Sequence, residues 1–147
     1  MGKPIILDSG PLGKISHPRP NREITEWLQK ILNTNTEIII PEIADYEVRR
    51  SFLLTGLTKS IKRLDDLKRL LTYLPLTTET MLTAAEIWAE ARKAGQPTAY
   101  PKELDCDVIL AAQVLTVGAI VATENIGHLS RFVEAKHWKD ITVEEAG

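Results

Sequence analysis

The sequence lacks the cysteines of disulfide-rich and zinc-binding proteins, and it lacks the long apolar runs of membrane spans and signal peptides. Its one cysteine, Cys106, has no internal disulfide partner and lies in no zinc-type Cys/His spacing. No run reaches the roughly 18 apolar residues of a membrane span, and the apolar run after Lys3 is too short for a signal peptide. We therefore expect a soluble, cytoplasmic protein, folded as one domain over residues 1–147.

Motifs for nucleotide binding and nucleophilic catalysis are also missing. Gly10 and Gly13 do not form a dinucleotide fingerprint, and no phosphate-binding loop with a Lys-Ser/Thr pair is present. The histidines His17, His128 and His137 stand apart from any Ser or Cys in a nucleophile context. Isolated histidines of this kind are most often surface or packing residues.

The net charge of −2 argues against a generally basic nucleic-acid binder. The charge is nevertheless uneven, because basic residues far outnumber Asp65 and Asp66 between Arg49 and Arg69. This basic run is either a solvated helix face or a surface that follows phosphates. Its members are Arg49, Arg50, Lys59, Lys62, Arg63, Lys68 and Arg69.

Hydrophobic periodicity predicts strands that alternate with helices. The predicted strands are 3–7, 37–40, 74–76 and 119–123, with an edge strand at 140–143. The predicted helices run from an Asn21 cap to Leu32, from Pro41 towards Gly56, from a Thr58 cap through Leu71, from Thr78 to Gly95, and over 105–116, with a loop at 95–101. This order predicts an α/β fold, a three-layer sandwich around a central, mostly parallel sheet.

Two carboxylates occur in strongly apolar settings. Asp8 closes the run Ile5–Leu7 just before an expected turn at 9–11, and Asp107 opens the run 108–112. An ionised carboxylate is costly to bury unless it is paired or holds a cation. A buried strand that ends in Asp resembles the edge of an open α/β sheet, where ligands bind. The placement therefore suggests a metal site.

Glu47 and Asp107 each have a structural alternative. Glu47 borders the apolar stripe of its predicted helix, but it could simply pair with Arg50 three residues later. We interpret Asp105 as a helix N-cap and Asp107 as a ligand, although Asp107 could instead only complement the helix dipole. The pattern alone leaves these alternatives open.

A polar trio, Thr123, Glu124 and Asn125, follows another predicted strand. Asn and Thr are ordinary turn residues, so the trio gains weight only from the acids that can converge on the same crevice. Those candidates are Asp8, Glu47 and Asp107, with Asn125 beside them. Oxygen ligands of this kind select Mg²⁺ or Mn²⁺ over zinc.

Four ordered segments resemble the PIN-domain family, and in particular its small stand-alone VapC toxins. They are Ile5–Leu12, Ile40-Pro41 with Tyr46–Val48, Asp107–Gln113, and Val121–Asn125. The resemblance covers nearly the whole chain in the family's order. It implies a PIN-like fold in which Asp8, Glu47 and Asp107 bind Mg²⁺ or Mn²⁺ for cleavage of RNA, with a small antitoxin protein as partner.

The chain departs from the family pattern at two places. Asn125 stands where many members have a fourth acid, which weakens the case for two tightly held metals. His128-Leu129 occurs where a Phe commonly follows the polar residue. If the chain cleaves RNA, the basic run between Arg49 and Arg69 could hold the flanking backbone, and the candidates are Arg49, Arg50, Lys62 and Arg63.

Two other protein classes with a similar first strand fit the sequence less well. A haloacid-dehalogenase-like phosphatase would need its second acid at Gly10, and a receiver domain would need paired acids at the first strand. The serious alternative is a catalytically inactive PIN-like module that binds RNA or a partner protein, and Asn125 is the residue that favours it. We also expect a homodimer, since Trp27, Trp88 and Trp138 are typical of a core or a dimer interface.

Overall fold

The computed structural model describes residues 2–19, 21–95 and 101–142, with the backbone alone for 101–104. Its centre is a five-stranded sheet in which all neighbouring strands pair in parallel. The strands are β1 (Ile5–Leu7), β2 (Ile38–Pro41), β3 (Thr72–Leu74), β4 (Ile120–Thr123) and β5 (Ala135–His137). Their order is β3-β2-β1-β4-β5, so β1 lies in the middle.

Helices cover both faces of this sheet. They are α1 (Ser9–Ser16), α2 (Arg22–Leu32), α3 (Glu42–Thr55), α4 (Thr58–Leu70), α5 (Thr78–Lys93), α6 (Pro101–Val117) and α7 (Ile126–Leu129), followed by a 3₁₀ turn at Trp138–Asp140. Ile5 and Leu7 face a core built with α1 to α4, whereas Ile6 faces a second core built with α6. The expected three-layer α/β sandwich is therefore confirmed, with a sheet that is parallel throughout.

Helix α1 replaces the turn expected at 9–11. Asp8 caps it, because its Oδ1 accepts a hydrogen bond of 2.7 Å from the Ser9 backbone N–H. Pro11 lies within the first turn, where its missing N–H would have no intrahelical partner in any case. The Ser-Gly-Pro sequence thus permits a helix start as readily as a turn.

The ends of other elements also differ from expectation. Helix α6 begins at Pro101, which suits the first helical position, so Asp105 lies inside the helix and is not its cap. The edge strand expected at 140–143 is wrong: β5 comes earlier, residues 138–140 form the 3₁₀ turn, and Val143 lies outside the described residues. Strand β3 lies at 72–74 and not 74–76. Pro41 is the N-cap of α3 and not its first helical residue. Leu57, and not Thr58, is the N-cap of α4, and Thr77 is the N-cap of α5. Most of the loop expected at 95–101, residues 96–100, lies outside the described residues.

None of the helices in the described part of the chain is long and apolar enough to cross a membrane.

A buried charged network fixes α3 against α4 and β3. Asp45 is only 5% exposed, and its carboxylate accepts hydrogen bonds from Arg49 Nε at 3.0 Å and Tyr73 OH at 2.9 Å. Lys68 Nζ lies 3.1 Å from the same carboxylate, and Arg49 also binds Asp65 at 2.7 Å. Because a buried carboxylate is stable only with such partners, this network sets the position of α3.

We expect Tyr73→Phe to make the protein less stable at neutral pH and less sensitive to alkali. Burial and the hydrogen bond to Asp45 raise the pKa of Tyr73 above its ordinary value of 10.0. Between the unfolded and folded pKa values the folded state therefore holds a proton that the unfolded state has lost, so the free energy of unfolding falls as pH rises above about 10. The Phe variant has no hydroxyl to titrate, so its free energy of unfolding does not fall in this way. It also loses about 1–3 kcal/mol of hydrogen bonding.

Urea unfolding from pH 7 to pH 11 measures both effects. The two stability curves should converge as pH rises. Parallel curves would show that the pKa of the Tyr73 hydroxyl is the same in the folded and unfolded states.

Candidate active site

The candidate site lies where β1 and β4 end side by side. The strands pair in register, with Leu7 opposite Ala122, and the Asp8 backbone N–H donates to the Ala122 carbonyl at 3.0 Å. Asp8 is the first residue after β1, and Glu124 and Asn125 follow β4. Because parallel strands end at the same edge of a sheet, these polar residues converge there.

The hydroxyl of Thr123 joins the two strand ends. Thr123 is fully buried, and its Oγ1 donates to Asp8 Oδ2 at 2.7 Å. The same oxygen accepts a hydrogen bond of 2.9 Å from the Asn125 backbone N–H. One hydroxyl therefore orients both the Asp8 carboxylate and the start of the next turn.

Asp8 occupies a setting that disfavours its charge. Burial raises the pKa of Asp8, and the nearby charge of Glu124 adds to this, while hydrogen bonds from Thr123 and Ser9 offset it in part. A cation beside Asp8 would remove this cost. The electrostatics of Asp8 are thus those of a carboxylate that gains from binding a positive charge.

Glu47 of α3 and Asp107 of α6 line the same cleft as Asp8, which has a volume of about 310 Å³. Asn125 lines it as well. The structure therefore brings together all four residues singled out as catalytic or metal-binding in the sequence: three acids from separate elements, and one amide. Their chemical roles remain predictions.

His128 belongs to this cleft, although the sequence gave no reason to select it. Its Nδ1 lies 3.2 Å from Asn125 Nδ2 and 3.9 Å from Asp107 Oδ2. The position of His128 on α7, one helical turn after Asn125, is the signal that could have identified it. The imidazole therefore lies between the Asn125 amide and the Asp107 carboxylate, and is within hydrogen-bond distance of the amide.

Cys106 also lines the cleft, next to Asp107. Burial, followed by the negative charge of Glu47, raises the pKa of the Cys106 thiol to about 11. The thiol is therefore protonated at neutral pH and is a poor nucleophile.

The four candidate RNA-binding cations lie in different environments. Arg50 lines the cleft, with its guanidinium 4.9 Å from the centre of the Tyr46 ring. Arg49 is bound in the Asp45 network, and Arg63 donates to the Ile15 carbonyl at 3.2 Å. Lys62 is exposed on α4. Of these four residues, only Arg50 is at the cleft.

Glu124 is a further acid of the cleft that sequence reasoning did not select. Lys14 Nζ forms an ion pair with its carboxylate, and Trp138 Nε1 donates to it at 3.4 Å. Burial alone would raise the pKa of Glu124, but the hydrogen bonds from Lys14 and Trp138 outweigh it and lower the pKa. Lys14 is 110 residues away in sequence, so no local pattern marks this pair.

The donor set suits a hard divalent cation. Carboxylate and amide oxygens are the ligands that Mg²⁺ and Mn²⁺ prefer, and the burial of Asp8 favours a cation beside it. Within residues 2–19, 21–95 and 101–142, no three Asp, Glu, His or Cys side chains stand close enough to form a ready-made metal site. Binding would therefore draw the carboxylates of the cleft together.

Comparisons with known proteins agree on one fold. A family model described as PIN domain matches residues 5–134. No curated protein gives a significant match.

Several solved structures are similar over nearly the whole chain. FitAcB from Neisseria gonorrhoeae is 22% identical, with a TM-score of 0.71, covering 93% of this chain and 99% of that chain. VapBC2 from Rickettsia felis, bound to a DNA fragment from their promoter, is 17% identical, with a TM-score of 0.74 and coverage of 91% and 98%. DNA-bound VapBC from Salmonella typhimurium is 21% identical, with a TM-score of 0.62 and coverage of 92% and 98%. At these identities the likeness concerns the fold.

Proposed function

Because the chain belongs to the PIN-domain family, whose members are generally nucleases, we propose that it is a divalent-metal-dependent endoribonuclease and the toxin of a toxin–antitoxin pair. One observation carries the proposal. Asp8, Glu47 and Asp107 come from three separate elements and line one cleft at the carboxyl ends of β1 and β4. Such a cleft can hold a cation against an RNA phosphodiester.

The three acids, Asn125 and Thr123 each have a task in the proposed mechanism. Asp8 and Asp107 would hold Mg²⁺ or Mn²⁺, and Glu47 would either hold the ion through a water or act as a positioning base. When bound, such an ion would supply activation of a water and stabilisation of negative charge on the phosphodiester. Thr123 keeps the Asp8 carboxylate in place, and Asn125 orients water or a phosphate oxygen.

RNA binding needs cations that offset the acids of the cleft. Arg50 is exposed at the cleft, so it is placed to hold a phosphate next to the cleaved bond. Lys62 on α4 can follow the strand further away. Arg49 and Arg63 already bind protein groups, so they contribute less to RNA binding than the basic run suggested.

A small antitoxin protein is the proposed inhibitor of the same cleft. The similar structures VapBC2 and VapBC are complexes that also bind DNA, which supports a partner for this chain. An Arg or Lys of that partner can take the place of the metal among the carboxylates.

A second copy of the chain is a further proposed partner. Trp27 and Trp138 are buried, whereas Trp88 on α5 is 38% exposed. Met81 and Leu82 of the same helix are also exposed. A homodimer would cover this apolar side of α5.

An inactive PIN-like module remains the second candidate function. It is favoured by Asn125, which adds no charge. It is also favoured by the spacing of the carboxylates, since no three in the described part of the chain are close enough to share one metal ion. Such a module would bind RNA or a partner through Arg50 and its surroundings without cutting.

We expect the purified chain to cleave single-stranded or looped RNA in Mg²⁺ or Mn²⁺, and to lose that activity in excess EDTA. Cleavage should return when the divalent ion is restored, because the carboxylates alone cannot stabilise charge on the phosphate. Gel electrophoresis of labelled RNA measures the rate, and a gel-shift assay measures binding. RNA that is bound but uncut with and without metal would support the inactive module instead.

A further inference from the structure

The Lys14–Glu124 ion pair lies at the rim of the cleft and has no role in the mechanism above. Glu124 lines the cleft together with Asp8 and Asp107, while its carboxylate is turned to Lys14 and to Trp138 Nε1. Glu124 is close enough to Asp8 for its charge to act on that carboxyl. The cleft thus contains a fourth carboxylate whose charge is matched by a lysine.

Gly10 shapes the place where this carboxylate rests. A Cβ at Gly10 would lie 2.9 Å from Glu124 Oε1, so a side chain there would push the carboxylate away. Gly10 is in the first turn of α1 and lines the cleft. The carboxylate of Glu124 therefore lies directly against the helix that Asp8 caps.

We propose that Glu124 becomes a carboxylate ligand when a divalent cation binds in the cleft, and that its ion pair with Lys14 sets the affinity of the cleft for that cation. The inference rests on the proposed function and extends it to a residue pair. Glu124 follows the strand that also delivers Asn125, so it can supply the negative charge that the amide lacks. Lys14 keeps that charge neutralised until a cation competes for it.

The ion pair is weak enough to be exchanged. The side chains of Lys14 and Glu124 are 44% and 31% exposed, and ion pairs with such exposure hold their partners only loosely. A divalent cation in the cleft offers Glu124 a stronger partner than one solvated ammonium group.

Calorimetric titration with Mn²⁺ tests the proposal on four forms of the full chain. Lys14→Met should bind Mn²⁺ about two- to fivefold more tightly than the parent, because Glu124 is released to the cation. Lys30→Met removes the same charge from an exposed position on α2, away from the cleft, and should bind Mn²⁺ like the parent. In Lys14→Met/Glu124→Gln the gain should disappear, and the same gain in that double variant would overturn the proposal.

A shorter carboxylate separates ligation from a general effect of charge. Lys14→Met/Glu124→Asp keeps the negative charge but shortens its reach by one methylene group. If Glu124 is a ligand, the tighter binding is lost in this variant. If the tighter binding persists, charge alone acts and the assignment of Glu124 as a ligand is wrong.

The parent and Asp8→Asn proteins separate this inference from the proposed function. A parent that binds no Mn²⁺ would contradict the proposed metal site itself. A parent that binds Mn²⁺ through Asp8, together with a Lys14→Met variant of unchanged affinity, would contradict only the role of the Lys14–Glu124 pair. Thermal unfolding of each variant shows whether the fold is intact.

Discussion

Asp8→Asn is expected to lower the rate of RNA cleavage by at least about a hundredfold in Mg²⁺. The substitution keeps the size of the side chain and removes its charge. Its Oδ1 can still accept from the Ser9 N–H, and its amide can donate to Thr123 Oγ1. The loss therefore reports on the missing carboxylate and not on a broken helix cap.

The fold of Asp8→Asn should be at least as stable as that of the parent without metal. Burial raises the pKa of Asp8, so the ionised carboxylate lowers stability at neutral pH, and the neutral amide avoids this cost. Asp66→Asn, a change at a half-buried residue of α4 away from the cleft, is the control and should cleave RNA normally. If Asp8→Asn cleaves RNA as well as the parent, the site has been misplaced.

Growth arrest is the second large effect that we expect. Expression of the chain alone should slow bacterial growth, whereas Asp107→Asn should leave growth near that of an empty vector. Asp107 lines the cleft from α6, and without its charge the cation is held by too few carboxylates. Growth curves after induction, with protein levels checked by immunoblot, measure the effect.

Asp105→Asn offers a closely matched control for the growth experiment. Asp105 lies on the same helix two residues earlier, is exposed, and does not line the cleft. This variant should remain toxic. Equal toxicity of the parent and Asp107→Asn, at equal protein levels, would break the link between growth arrest and the cleft.

Residues with a local apolar signature were the ones that the sequence could identify. Asp8 and Asp107 border apolar runs, and the strand order follows from alternating periodicities, so the fold class and the PIN resemblance are confirmed. Asn21 was also correctly predicted as a cap, because its side chain accepts from two backbone N–H groups of α2. These features depend on neighbours within a few residues.

Features set by distant contacts could not be predicted in this way. The pairing of Glu124 with Lys14 joins residues that are 110 positions apart, and the bond from Thr123 to Asp8 spans 115. Strand β5 has the sequence Ala-Lys-His, which carries no β-branched residue, so its pairing with β4 decides its structure. Arg49 was predicted to bind RNA, and its contacts with the buried Asp45 and with Asp65, sixteen residues later, depend on how α3 packs against α4.

The shared hydroxyl of Thr123 has a consequence for how firmly the cleft binds its ligands. Asp8 and the turn that begins at Asn125 belong to separate segments, yet both are tied to one fully buried oxygen. The conformational entropy of ordering these segments is therefore lost when the chain folds, and little of it remains to be lost when a ligand arrives. This half of the cleft is preorganised, whereas Glu47 and Asp107 approach from helices on the other side.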